Sequence, residues 1–88
     1  MTPLTTPTVH ANGTPKEKLV QQRLAVMEAA SALLEAMQAA QPENRDYLPQ
    51  GLVAVKQARA AWSERLQMVQ ELRAQVEMEA VEITLKGL

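Results

Sequence analysis

Val55, Trp62, Val69, Val76 and Ile83 recur every seven residues through the second half of the chain. A second row of the same period, Leu52, Arg59, Leu66, Arg73 and Ala80, runs beside it. A half-buried strand would alternate at every second residue. A heptad kept over this length instead marks a long helix with coiled-coil-like packing. All members of the first row but Trp62 are β-branched, and the two arginines make the second row an imperfect apolar seam. The spacing predicts a helix over about 50–86, roughly 54 Å long. Gly87 is placed as the glycine that follows the helix, with Leu88 as its hydrophobic contact.

The first half predicts a shorter helix. Thr14-Pro15-Lys16-Glu17 fits a capping box, with Thr14 as N-cap, Pro15 at the first helical position and Glu17 reaching back to the cap. The helix is expected over about 15–40 and to stop at Gln41-Pro42. One arc of it collects Leu19, Val20, Leu24, Val26, Met27, Ala30, Leu33, Leu34 and Met37. This is about half the circumference, wider than the roughly 100° stripe needed to face one core. Ala25, Ala29, Ala32, Ala36 and Ala39 lie opposite, and Glu28 and Glu35 are the only charges between Ala25 and Ala40. A helix so poor in charge is expected to be covered on more than one side. The alternative is that the alanines supply helix propensity on a solvent face.

Two helices joined by a short connection form an antiparallel pair, so the fold expected is all-α: a two-helix hairpin over 14–88 with a loop at 41–49. Eighty-eight residues bound a single domain. Trp62 and Tyr47 are the only rings and there is no Phe, so a core must come from Leu, Val, Met and Ala. Such a pair shields one strip of each helix and buries little. With closure near residue 45, Lys16 and Lys18 would lie beside Glu71 and Glu77, and the second helix would overhang by about ten residues, leaving Ile83 and Leu85 in need of a cover. Assembly into a homo-oligomeric helical bundle is the expected remedy. Its expected interface is Leu24, Met27, Leu34, Val55, Trp62, Leu66, Val69, Val76 and Ile83. Residues 1–13, rich in Thr and Pro, suggest a flexible arm that could dock on a neighbouring subunit through Leu4 or Val9.

The connection Pro42-Glu43-Asn44-Arg45-Asp46-Tyr47-Leu48-Pro49-Gln50-Gly51 is longer and chemically richer than a turn requires. One expectation is local: Asn44 or Asp46 caps the second helix, Tyr47 packs on the hairpin end and Arg45 pairs with Glu43 or Asp46. The other is a recognition surface. Arg45 would take a phosphate or carboxylate, Tyr47 would stack on a base or pack on a partner, and Asn44, Asp46 and Gln50 would supply polar contacts. Arg59 and Arg73 in the heptad row, and Arg23 in the apolar arc, either send their heads to water or to Glu77 or Glu28, or line an inward-facing anion site between subunits.

Other chemistries lack parts. The single His10 and the absence of cysteine leave no metal set at ordinary spacing, and Glu77, Glu79 and Glu82 read as a solvated acidic stretch. There is no nucleophile beside a base, no glycine-rich phosphate loop and no paired carboxylates in a cleft, so neither an enzyme nor a cofactor is expected. A net charge of -1 gives no pull toward nucleic acid, and Lys56, Arg59 and Arg65 make only a sparse basic patch. No apolar run approaches the roughly 18 residues of a membrane span, and the N-terminus has no signal-peptide pattern.

Asn44, Arg45, Asp46, Tyr47, Pro49, Gln50 and Gly51, with Asn12-Gly13-Thr14 upstream, form a pattern similar to that of a group of short phage and prophage proteins bearing an Asn-x-Arg-Asp-Tyr-x-Pro-Gln-Gly loop. The resemblance covers most of the chain after residue 10. Leu48 stands where the group has a second Tyr, which weakens stacking there. The resemblance implies an origin, a phage accessory protein in the cytoplasm of a bacterial host, and no mechanism. The function expected is therefore non-catalytic: a homo-oligomer that inhibits a host defence protein or sequesters a small anionic or nucleotide ligand. The alternative is a structural or scaffold component of a phage particle.

Overall fold

The computed structural model describes residues 5–86 of the chain and is helical throughout its ordered elements. Helix α1 spans Lys16–Ala39, a 3₁₀ segment spans Asn44–Gln50, and helix α2 spans Leu52–Leu85. The two long helices pack against each other, and the 3₁₀ segment packs on α2. The expected boundaries thus shift inward by one or two residues. The loop expected over 41–49 is largely this 3₁₀ segment. Leu4, Gly87 and Leu88 lie outside the described residues.

The start of α1 differs from the expected capping box. Pro15, not Thr14, is the N-cap, at φ -57 and ψ 146, and no side chain caps the helix. Proline's ring holds this φ, and its carbonyl accepts the first helical bond, from the Leu19 N–H at 3.0 Å. Asn44 and Asp46 do not cap α2 either; its N-cap is Gly51, without a side-chain bond.

Gly51 is where the chain reverses. Its φ of 90 and ψ of 175 belong to a region that residues with a Cβ rarely enter. A Cβ built there would meet nothing within 4 Å, so the cost of substitution is backbone strain alone. Gly51→Ala should therefore destabilise the hairpin by about 1–2 kcal/mol without altering its contacts, as measured by urea unfolding followed by circular dichroism.

Reversal at Gly51 sets a register different from the one expected for closure near residue 45. Lys16 Nζ donates to the Lys86 carbonyl at 2.9 Å, Arg23 pairs with Glu79, Arg73 Nε donates to Ser31 Oγ at 2.8 Å, and Trp62 Nε1 donates to the Met37 carbonyl at 2.8 Å. Lys16 is thus level with the end of α2, not with Glu71 or Glu77. The overhang consequently sits at the other end of α2, in its first turns, and there the 3₁₀ segment lies alongside. Helicity within the connection carries the chain past the end of α1 before it turns.

The first heptad row faces inward within one chain along its whole length, and the second does so from Leu66 to Ala80, while Leu52 and Arg59 at its start are exposed. Interleaved, the two rows step by four and three residues from Val55 to Ile83, which is the spacing of a packing seam. Val55, Val76, Ala80 and Ile83 are buried against the rest of the same chain, with Leu19 and Ala30 opposite on α1. Val55, Val76 and Ile83, expected at the subunit interface, are therefore already covered. Trp62, Leu66 and Val69 are half-buried on the same seam, as are Met27 and Leu34 on α1, whereas Leu24 is 51% exposed.

Ile83 needs no partner molecule because the N-terminal segment comes back to it. Thr6 Oγ1 donates to Glu82 at 2.8 Å, and Lys86 Nζ donates to the Pro7 carbonyl at 3.4 Å. Glu82 in the last turn of α2 and Lys86 at its C-cap lie on either side of Ile83 in the chain, and Ile83 has 0% exposure. The arm expected to be flexible thus touches the end of its own α2 at Thr6 and Pro7, while Val9 and His10 lie beside Pro15, Lys16 and Glu17 at the start of α1.

The result is a rod. Its extents are 61 × 21 × 17 Å and its radius of gyration is 18.4 Å, against about 12 Å for a compact domain of this length.

Candidate functional site

The two aromatic rings of the chain meet at the loop end of the rod. Tyr47 on the 3₁₀ segment and Trp62 on α2 line a groove of about 570 Å³, together with Asp46, Gln50, Arg65 and a floor of Ala40, Ala58 and Ala61. Each part is held for a physical reason. Trp62 donates its N–H to the Met37 carbonyl at 2.8 Å, an oxygen that also accepts from the Ala40 N–H at the end of α1, so the indole is pinned at the helix junction. Arg65 follows Trp62 by three residues on the same helical face, and its guanidinium sits 5.5 Å from the centre of the Trp62 ring. Tyr47 is half-buried, and its carbonyl accepts from the Gly51 N–H at 3.1 Å, which ties the ring's position to the turn.

The electrostatics separate the arginines. Arg45 forms an ion pair with Glu43 at 2.8 Å and its side chain is 79% exposed, turned away from the groove. Arg73 is engaged with Ser31 Oγ and, at 3.5 Å, with Glu77. Arg59 Nε donates weakly to the Pro42 carbonyl at 3.4 Å and lies on the other side of Trp62, in a smaller groove of about 190 Å³. Arg23 is taken up by Glu79, at 3.0 Å from Nε and 2.8 Å from Nη2, and not by Glu28 or Glu77. Among the described residues, Arg65 makes no ion pair or hydrogen bond.

Of the loop and arginine residues expected to bind, Asp46, Tyr47 and Gln50 come together in the groove. Asn44 and Arg45 do not, Arg59 is beyond Trp62, and Arg73 is far down the rod. Arg65, expected only as part of a sparse basic patch, and Trp62, expected at a subunit interface, line this groove as well. The three-residue spacing of the pair on a helix is the signal that could have found them. No group of three or more potential metal ligands occurs among the described residues, and none of their helices is long and apolar enough to cross a membrane.

No protein-family model matches the chain, and no curated protein or solved structure is significantly similar to it.

Proposed function

We propose that the chain is a non-catalytic binding protein that works as a homo-oligomer and holds a small anion carrying a flat ring, of the nucleotide class, in the loop-end groove. The observation that carries this reading is Arg65: a guanidinium without an ion pair among the described residues, steadied over Trp62 and placed in the same groove as Tyr47. A guanidinium so held is preorganised for a phosphate or carboxylate, and less side-chain entropy is lost when the anion binds. Tyr47 offers a ring face beside it, and Asp46 and Gln50 offer polar contacts to an amine or hydroxyl. The likeness of the loop to phage and prophage proteins suggests the setting, the cytoplasm of an infected bacterium, where withdrawing a signalling nucleotide would be the useful act.

Native mass spectrometry of protein purified gently from an expressing bacterium tests this, followed by titration with mono- and dinucleotides. A bound mass of a few hundred daltons per site is expected. Arg65→Ala should weaken nucleotide binding by about ten- to a hundredfold, the range of one charge-assisted contact, and Tyr47→Ala should weaken it too, while Arg45→Ala leaves it within about twofold. Binding that survives Arg65→Ala and fails in Arg45→Ala would overturn the assignment.

A second reading, inhibition of a host protein, draws on a different observation. Leu48, Leu52 and Val53 are 73%, 72% and 69% exposed at the tip of the rod, an apolar end suited to insertion in a partner's pocket. Nothing at either place favours a particle scaffold.

A further inference from the structure

One flank of the rod is uncharged for most of its length. On α2 the helical period carries Arg65 on to Met68, Leu72 and Glu79, and on α1 it links Val26, Ala29, Leu33 and Ala36. Val26 shares a groove with Val76 and Glu79, which places the two strips on the same side of the seam, and Thr5 of the N-terminal segment borders that groove at its Glu79 end. Between Arg65 at one end and the Arg23–Glu79 pair at the other, the flank has no charge. Val26, Leu33, Met68 and Leu72 are 46%, 49%, 63% and 40% exposed along it.

The amount of exposed surface indicates how large a cover is missing. The chain exposes 6572 Å², against about 5,100 Å² for a compact monomer of this mass. The excess, roughly 1,500 Å² over the whole rod, leaves room for an interface of the approximately 800 Å² that each partner contributes to a stable one, and this flank is one part of it. The shape of the flank indicates the occupant. With Arg73 level with Ser31 and Trp62 level with Met37, Leu72 stands beside the Ala29–Ala32 turn and Met68 beside the Leu33–Ala36 turn. Leu72 and Met68 on α2 thus stand beside the small Ala29 and Ala36 on α1, with Leu33 between the two alanines and Val26 beyond them.

We infer that this flank is the contact between two copies of the chain, related by a two-fold axis parallel to the rod. That axis lays α1 of each copy on α2 of the other at the same height. Leu72 of one copy then enters the gap over Ala29 of its mate, and Met68 the gap over Ala36, as knobs packing between ridges. An axis across the rod would set α2 on α2, large on large, and α1 on α1, so that Leu72 and Met68 would not meet the alanines. In the chosen arrangement every helix has antiparallel neighbours, as in a four-helix bundle, and the two loop ends lie at the same end of the dimer. This rests on the self-association in the proposed function and is independent of its ligand.

The full chain is studied by sedimentation equilibrium and, because it contains no cysteine, by electron–electron distance measurement on nitroxides at Asn44→Cys. The wild type should sediment as a dimer or a higher even-numbered assembly. Leu33→Glu and Met68→Glu should each weaken it at least a hundredfold with helical circular dichroism retained, and Leu24→Glu, on the opposite flank, should not. The label distance should reflect the rod's 21 Å width rather than its 61 Å length. A monomeric wild type, or a dimer indifferent to both flank substitutions, would overturn the face. A label distance near the rod length would overturn the axis. Nucleotide binding measured on the same variants separates these failures from failure of the groove.

Discussion

Ile83→Ala should remove about 2–5 kcal/mol, a loss comparable with the hairpin's whole stability at 25 °C. Ile83 has 0% exposure, and the other fully hydrophobic buried residues are few: Leu19, Ala30, Val55, Val76 and Ala80. Removing three carbons from a site closed by α1, α2 and the returning N-terminal segment costs about 2–5 kcal/mol, transfer and cavity together. A chain of this size with so small a core has roughly 3–5 kcal/mol to lose. Urea unfolding at matched protein concentration measures the effect, since association adds to apparent stability. Leu85→Ala is the control. Two residues further on but 77% exposed, it should change stability by no more than about 0.5 kcal/mol. Equal effects at the two positions would mean that the N-terminal segment does not cover Ile83 in solution.

The second large effect belongs to the Arg23–Glu79 pair. Glu79 is 7% exposed and its carboxylate takes two donors from one guanidinium, at 2.8 and 3.0 Å. The same guanidinium donates through Nη1 to the Leu19 carbonyl at 3.3 Å. Glu79→Ala removes the counter-charge and leaves Arg23 facing an apolar seam. For a fully buried pair that costs about 3–5 kcal/mol, and the 21% exposure of the Arg23 side chain lowers the expectation to about 2–4 kcal/mol. The double variant Arg23→Met, Glu79→Leu should recover most of the loss, because it removes both desolvated charges and keeps the volume. A double-mutant cycle by chemical denaturation measures the coupling. A coupling below about 0.5 kcal/mol would place the pair with ordinary surface bridges.

Arg23 and Glu79 also show why register was not legible in the chain. Arg23 could be seen as an odd charge in an apolar arc, and Glu79 as one of three acids on the last turns of α2. Which acid meets which base depends on where the chain reverses, and periodicity carries no such information. Helical steps are the same whether closure falls at residue 45 or at 51. The difference lies in Asn44–Gln50, where two prolines nearby and a glycine at φ 90 turn an expected loop into a short helix with the reversal at its far end. One consequence is the reassignment of Val55, Val76 and Ile83 from a surface between copies to the interior of one copy. Another is the change of reader in the groove: Arg45 is adjacent in sequence to Tyr47 yet turned toward Glu43, while Arg65, eighteen residues from Tyr47, lines its groove.

The sequence by itself determined that the chain is helical, that there are two long helices, and which stripe of each is apolar. These are local properties, set by propensity and by a side-chain period of 3.5 to 3.6 residues. It also determined that so few large side chains, with two rings among 88 residues, would leave apolar surface on the rod. Only the tertiary structure decided the register, the end at which α2 runs on beyond α1, the return of Thr6 and Pro7 to Glu82 and Lys86, and the placing of Tyr47, Trp62 and Arg65 around one groove. These depend on the φ and ψ of a few residues around Gly51. A small rotation there moves one helix along the other by several residues at little cost in local energy, and packing across the seam selects among the results.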